Sequence, residues 1–251
     1  MLIPLPALYI YKGTVPQRIV DSVNEYLDEL LETEDRESHA YNLVGQIMAG
    51  EQLTMDFNHE DVKEMSMCLL MACQDYLRHY FNVHPPGDTS PDALLEQVKM
   101  DISSMWSVHS YEGDYNPLHD HNALSPYSLS CIVYLKVPES VTGFDDGKTA
   151  TGAGGATDGM LNFVYGQSPS DFRRLVPPHC RGIVPKVGDV YVFPNWVEHE
   201  VWPFTGEEER RSMSANVNTW YFPRTMEVEG QKVVGINPHI ANIFKPDEEE
   251  R

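Results

Sequence analysis

From about residue 98 the chain is a series of short β-rich runs, and two of them alternate so regularly that few architectures suit them. In Ser128–Val137 one face carries Leu129, Cys131, Val133, Leu135 and Val137, and the other Ser128, Ser130, Ile132, Tyr134 and Lys136. In Arg210–Asn218 one face carries Arg211, Met213, Ala215 and Val217, and the other Arg210, Ser212, Ser214, Asn216 and Asn218. Side chains on a strand point alternately to its two faces, so each run has an apolar side and a polar side. A half-exposed sheet with its polar side in water explains such strands. So does a small barrel with helices packed outside and a polar ligand at its mouth. The other runs, 101–111, 159–165, 182–184, 189–193, 199–204 and 231–236, are also short and bounded by turn residues, as in a sandwich or barrel.

Helical periodicity comes earlier. Ile19, Val20, Val23, Tyr26, Leu27, Leu30 and Leu31 predict an amphipathic helix over about 16–32 with an acidic outer face. A second helix is predicted from an Asn58 N-cap, with Val62, Met65, Leu69, Ala72, Tyr76 and Tyr80 as its stripe and Pro85-Pro86-Gly87 as its stop. Two helices are too few for a separate core, so they are expected on the outside of the β unit. Residues 1–10 are apolar but contain two prolines and no basic region, and are expected to form an edge strand rather than a signal peptide. The segment 142–159 is expected to be a surface insertion and 247–251 a frayed tail. The predicted organisation is a single domain over 1–251: N-terminal strand and helices in 1–97, β core in 98–236, tail in 237–251.

Composition narrows the partners. Lys and Arg number 18 against 38 Asp and Glu, a net charge of −20, which argues against a nucleic-acid backbone or an anionic membrane surface. Cys68, Cys73, Cys131 and Cys180 form no CxxC pair and are expected to be small buried thiols in a reducing, cytoplasmic setting.

The chemistry centres on His119-Asp120-His121, in a turn between predicted strands, and His199, just before a later one. Imidazoles suit Fe, Zn, Cu and Ni, and ligands two apart at a strand end can point the same way. Arg210 follows, with Ser212 on the same face. An inward guanidinium is costly unless an anion meets it, and its fork suits a carboxylate. Arg211 belongs to the apolar, helix-facing side, which leaves Arg210 as the clamp. His109 is expected to be a satisfied strand histidine, Glu198 and Glu200 to face solvent, and Trp196 to lie near the mouth. Asn216 suits either the barrel floor or a ligand role.

The series His119-Asp120-His121-Asn122…Ser130–Leu135, then Phe193-Pro194…His199-Glu200-Val201…Arg210–Asn216, resembles the His-x-carboxylate…His…Arg-x-Ser order of Fe(II)- and 2-oxoglutarate-dependent dioxygenases. It is similar to the bacterial and phage members of the prolyl-hydroxylase-like branch, over roughly residues 100–220. The resemblance implies a mainly β (α+β) double-stranded β-helix, a jelly-roll or cupin-like barrel with the helices on its outer face. It implies Fe(II), 2-oxoglutarate and O2, and hydroxylation of a C–H bond coupled to decarboxylation of 2-oxoglutarate to succinate. His119 and His199 would bind the metal. Arg210 would hold the distal carboxylate of 2-oxoglutarate, with Ser212 beside it and hydroxyls from Tyr111 and Tyr134. The chain departs from the pattern at His121, where most members carry Asp or Glu. Either His121 is a third neutral ligand or Asp120 turns inward, and position favours His121. Two other readings stay open: a cupin-like three-histidine enzyme without a ketoacid, and a non-catalytic β-barrel binding module. The substrate would be a small molecule or a peptidyl group, and the helices offer a homodimer face.

Overall fold

The computed structural model describes residues 8–85, 88–121, 128–141, 157–165, 180–221, 226–228 and 231–233. The elements, in chain order, are β1 (Tyr11–Thr14), α1 (Gln17–Glu32), β2 (Glu51–Thr54), α2 (Glu60–Val83), α3 (Pro91–Leu95), β3 (Val98–Ser110), β4 (Asn116–His119) and β5 (Leu129–Lys136). There follow β6 (Leu161–Val164), β7 (Cys180–Ile183), β8 (Asp189–Pro194), β9 (His199–Val201), β10 (Arg210–Tyr221), β11 (Met226–Val228) and β12 (Gln231–Val233).

Two antiparallel sheets carry the fold. The larger has the order β1-β8-β5-β10-β3-β2, the smaller β4-β9-β6-β7, and β11 pairs with β12 as a separate hairpin. The central strands of the larger sheet are the alternating runs, and their two sides serve two cores. Leu129, Cys131, Val133, Leu135, Met213, Ala215 and Val217 pack under Ile19, Val20, Val23 and Leu27 of α1 and Val62, Met65, Leu69 and Cys73 of α2. Burying each larger aliphatic side chain there contributes about 1.5–3 kcal/mol. The opposite side supplies Ile132, Tyr134, Tyr191 and Phe193, which meet Leu161 and Phe163 of the smaller sheet. This is the jelly-roll arrangement of a double-stranded β-helix, with the helices outside.

Helix α1 begins after Pro16 and ends at Thr33, whose N–H donates to Leu30 O. The second helix is capped one residue later than its sequence predicts: the His59 ring accepts from Asp61 N–H, and Glu60 and Asp61 complement the N-terminal end of the helix dipole. Short α3 was not expected from periodicity. It is set by Ser90, whose hydroxyl accepts from Ala93 N–H, with Pro91 in the first turn.

The expected N-terminal edge strand lies further along. It is β1 at Tyr11–Thr14, paired with Val192–Asp189 of β8, whereas Leu8–Ile10 join no strand and residues 1–7 lie outside the described residues. The partner strand decides this position, which local apolarity does not reveal. Most of the 142–159 insertion and the whole 237–251 tail also lie outside the described residues. Three strands were missed, β2, β4 and β11. β2 and β4 are four residues each, too short to show a period, and β4 contains Pro117. Among the described residues, no helix is long and apolar enough to cross a membrane.

Candidate metal centre

Pairing between β4 and β9 sets His119 directly opposite His199, and β9 also sets His199 against Phe163 of β6. His121 follows β4, its N–H donating to Asn195 O and its own carbonyl accepting from Asn195 Nδ2 at 2.7 Å. Two segments distant in sequence, 119–121 and the start of β9, thus deliver three rings. One nitrogen from each lies within 4.8 Å of the others. Ring centroids are 4.3 Å apart for His119 and His199, 4.9 Å for His121 and His199, and 5.4 Å for His119 and His121.

The Nδ1 atoms are engaged elsewhere. His119 Nδ1 lies 2.7 Å from Pro117 O, His199 Nδ1 2.9 Å from Val197 O, and His121 Nδ1 2.8 Å from Asn216 Oδ1. A carbonyl oxygen only accepts, so each ring donates from Nδ1 and keeps a lone pair on Nε2. Burial lowers all three pKa values. His121 is pushed down to about 4, chiefly by desolvation, which the Asn216 hydrogen bond offsets in part. His199 falls well below its ordinary value by desolvation and by the neighbouring rings, and His119 is lowered by desolvation against the pull of Pro117 and Asp120. Three neutral imidazoles with convergent lone pairs make a donor set suited to a divalent transition metal. Asp120, the alternative third ligand, is exposed and outside this group.

A cavity opens beside the rings, lined by His119, His121, His199, Tyr134, Arg210 and Ser212 among others. The β10 register explains who faces it. Ser212 pairs with Val108 of β3 and with Tyr134 of β5, and Ser214 with Trp106 and Ile132, all on one side. Arg210 is 1% exposed. Its Nε has no hydrogen-bond partner, and among the described residues no carboxylate pairs with it. Its guanidinium carbon sits 5.4 Å from the Tyr134 ring centroid. Burial pulls the Arg210 pKa down, yet a guanidinium stays charged. The Tyr134 hydroxyl is also buried, without a hydrogen-bond partner among the described residues, its pKa raised to about 12 by burial despite the nearby cation. A buried charge without a partner costs several kcal/mol, so a guanidinium that meets no carboxylate among the described residues suits an anionic ligand.

Tyr111 is not there. It follows β3 on the side of Ser107 and His109, the opposite parity to Val108 and Trp106, and its electrostatic neighbours are Glu209, Arg211, Asp28 and Glu51. Strand parity therefore corrects its assignment to the anion site. His109 shares that outer face, bonded to Ser107 and Glu209. Glu198 is exposed, and Glu200 accepts from Asn162 and Trp202, so neither carboxylate orients His199. Trp196 is 59% exposed and absent from the cavity wall. Sequence reasoning missed Trp106, which packs 5.5 Å from His121, and the joint action of Ser130 and Asn216 on that ring. The available signal was that both lie on the polar sides of their strands.

Residues 104–216 match the family model of the 2OG-Fe(II) oxygenases. None of the curated proteins matches the sequence. Among solved structures, a Pseudomonas putida prolyl-4-hydroxylase is similar at 15% identity and TM-score 0.50, covering 85% of this chain and 92% of that one. HygX from Streptomyces hygroscopicus, solved with nickel and 2-oxoglutarate bound, is similar at 11% identity and TM-score 0.51, covering 89% and 86%. The carbocyclase SnoK of nogalamycin biosynthesis is similar at 12% identity and TM-score 0.53, covering 85% and 82%. At these identities the likeness is one of fold.

Proposed function

We propose, from the match of residues 104–216 to the 2OG-Fe(II) oxygenase family model, that this chain is an Fe(II)/2-oxoglutarate oxygenase that hydroxylates a C–H bond of a small-molecule or peptidyl substrate, with conversion of 2-oxoglutarate to succinate. The observation that supports this most is the pairing, in one cavity, of three neutral imidazoles with a buried guanidinium that meets no carboxylate among the described residues. His119, His121 and His199 would hold Fe(II) through Nε2. The metal with 2-oxoglutarate and O2 would supply the oxidising chemistry. Arg210 would bind the distal carboxylate of 2-oxoglutarate by charge-assisted hydrogen bonds, with Tyr134 and Ser212 as hydroxyl partners. Phe193 and Phe163, packed at 5.0 Å and 6.2 Å from the His199 ring, exclude water from one side of the centre.

The test is 2-oxoglutarate turnover to succinate by the Fe(II)-loaded protein, beside 2-oxoglutarate binding by wild type and Arg210→Ala. Unchanged affinity in the variant would remove the clamp assignment. Among the described residues the group holds no carboxylate, which favours a second reading, a three-histidine metalloenzyme that uses no ketoacid. That reading requires metal binding without 2-oxoglutarate dependence, with Arg210 serving the substrate instead.

A further inference from the structure

His119 and His199 are oriented locally. Each ring donates to the carbonyl two residues before it, Pro117 and Val197, so the chain's own turn selects the tautomer. His121 has no such local acceptor. Its Nδ1 meets the side chain of Asn216, 95 residues away on β10, at 2.8 Å. A second contact comes from Ser130 Oγ on β5, 2.9 Å from the same nitrogen. The amide is itself aligned: Ser130 Oγ donates to Asn216 Oδ1 at 3.2 Å, and Asn216 Nδ2 donates to Ser104 Oγ on β3 at 3.2 Å. Asn216 and Ser130 are cross-strand partners, as are Asn216 and Ser104, so three adjacent strands converge on one ring.

A carboxylate ligand needs no tautomer. An imidazole does, because only the ring with its proton on Nδ1 presents a lone pair from Nε2. Putting histidine at the third position therefore adds a requirement that the turn at 119–121 does not meet. Resting on the metal-centre reading above, we infer that Asn216 is the positioning residue that makes His121 a metal ligand, by accepting its Nδ1 proton and so aiming Nε2 at the ion. Asn216 touches neither metal nor substrate in this role. Its acceptor is neutral, like the two backbone carbonyls, so all three ligands stay neutral and the centre keeps the full double charge of its ion to face an anionic cosubstrate.

The experiment uses the full chain, free of metal at neutral pH, with 15N-labelled histidine, followed by Co(II) titration. In wild type the His121 proton is expected on Nδ1, and Co(II) is expected to bind. In Asn216→Ala the ring is expected to populate both tautomers and the Co(II) Kd to rise roughly tenfold or more. Asn216→Asp keeps an acceptor of the same shape and is expected to restore both the tautomer and the affinity. Wild-type His121 protonated on Nε2, with Co(II) still bound, would overturn this inference alone. So would an Asn216→Ala protein that binds Co(II) as well as wild type, or equal loss in the Ala and Asp variants, which marks a purely structural residue. Wild type that binds no Co(II) would overturn the metal reading, and the inference with it.

Discussion

Arg211 points to the helix-covered side of the large sheet, and its neighbour Arg210 points into the barrel; both are 1% exposed. Arg211 is met from within the protein. Glu209 takes its Nε and Nη2 at 2.7 Å and 2.9 Å, Asp28 accepts at 2.6 Å, and Asn24 accepts from Nη1. Arg210 has an orphaned Nε and no carboxylate partner among the described residues. The comparison separates two uses of one residue type. A cation that serves the fold is satisfied by the fold, and a cation that serves a ligand is left for the ligand to satisfy.

Breaking the structural side should have the largest effect. Arg211→Ala leaves Glu209 without its main ion-pair partner and should cost about 3–5 kcal/mol of stability, measured by urea unfolding. A loss under about 1 kcal/mol would show that the pair is not the structural element described. Arg210→Ala should do the reverse. Stability of the ligand-free protein should hold or rise, because an uncompensated charge is removed, while 2-oxoglutarate binding should weaken by about 1.5–3 kcal/mol in calorimetry.

The pH dependence sharpens the same contrast. Burial works to raise the Glu209 pKa, but hydrogen bonds from His109 and Arg211 outweigh it and bring the group down to about 2. A depressed carboxylate stabilises above its unfolded value and loses that contribution as pH falls toward its folded one. Wild type should therefore shed roughly 1–2 kcal/mol between about pH 4.5 and 2, after allowance for solvent screening. Glu209→Gln should show a flatter profile there in thermal melts, and identical profiles would contradict the assignment. The smallest effect is expected from Tyr134→Phe. Its hydroxyl has no hydrogen-bond partner among the described residues, so stability should change by less than about 0.5 kcal/mol. Affinity for 2-oxoglutarate should fall by about 1 kcal/mol.

How far the sequence carries these statements depends on the distance over which each feature is decided. Parity within β10 alone separates Arg210 from Arg211, because Met213, Ala215 and Val217 mark the helix side. Tyr111 is assigned to the anion site by the resemblance alone; pairing of Ser110 with Arg210 shows which β3 face is inward and puts Tyr111 on the other. Strands β2 and β4 are too short to declare themselves, yet β4 sets His119 opposite His199. The choice between His121 and Asp120 was left to position. In the structure His121 is held by Asn195 and Asn216, contacts 74 and 95 residues away that no local pattern encodes, while Asp120 is exposed.

The most direct test is a crystal structure grown without oxygen in the presence of Fe(II) and 2-oxoglutarate, with the metal located by its anomalous signal. The account expects one ion bound by Nε2 of His119, His121 and His199, and a carboxylate of 2-oxoglutarate forked on Arg210. An ion elsewhere, or Arg210 still without an anion while 2-oxoglutarate sits at another place, would contradict it.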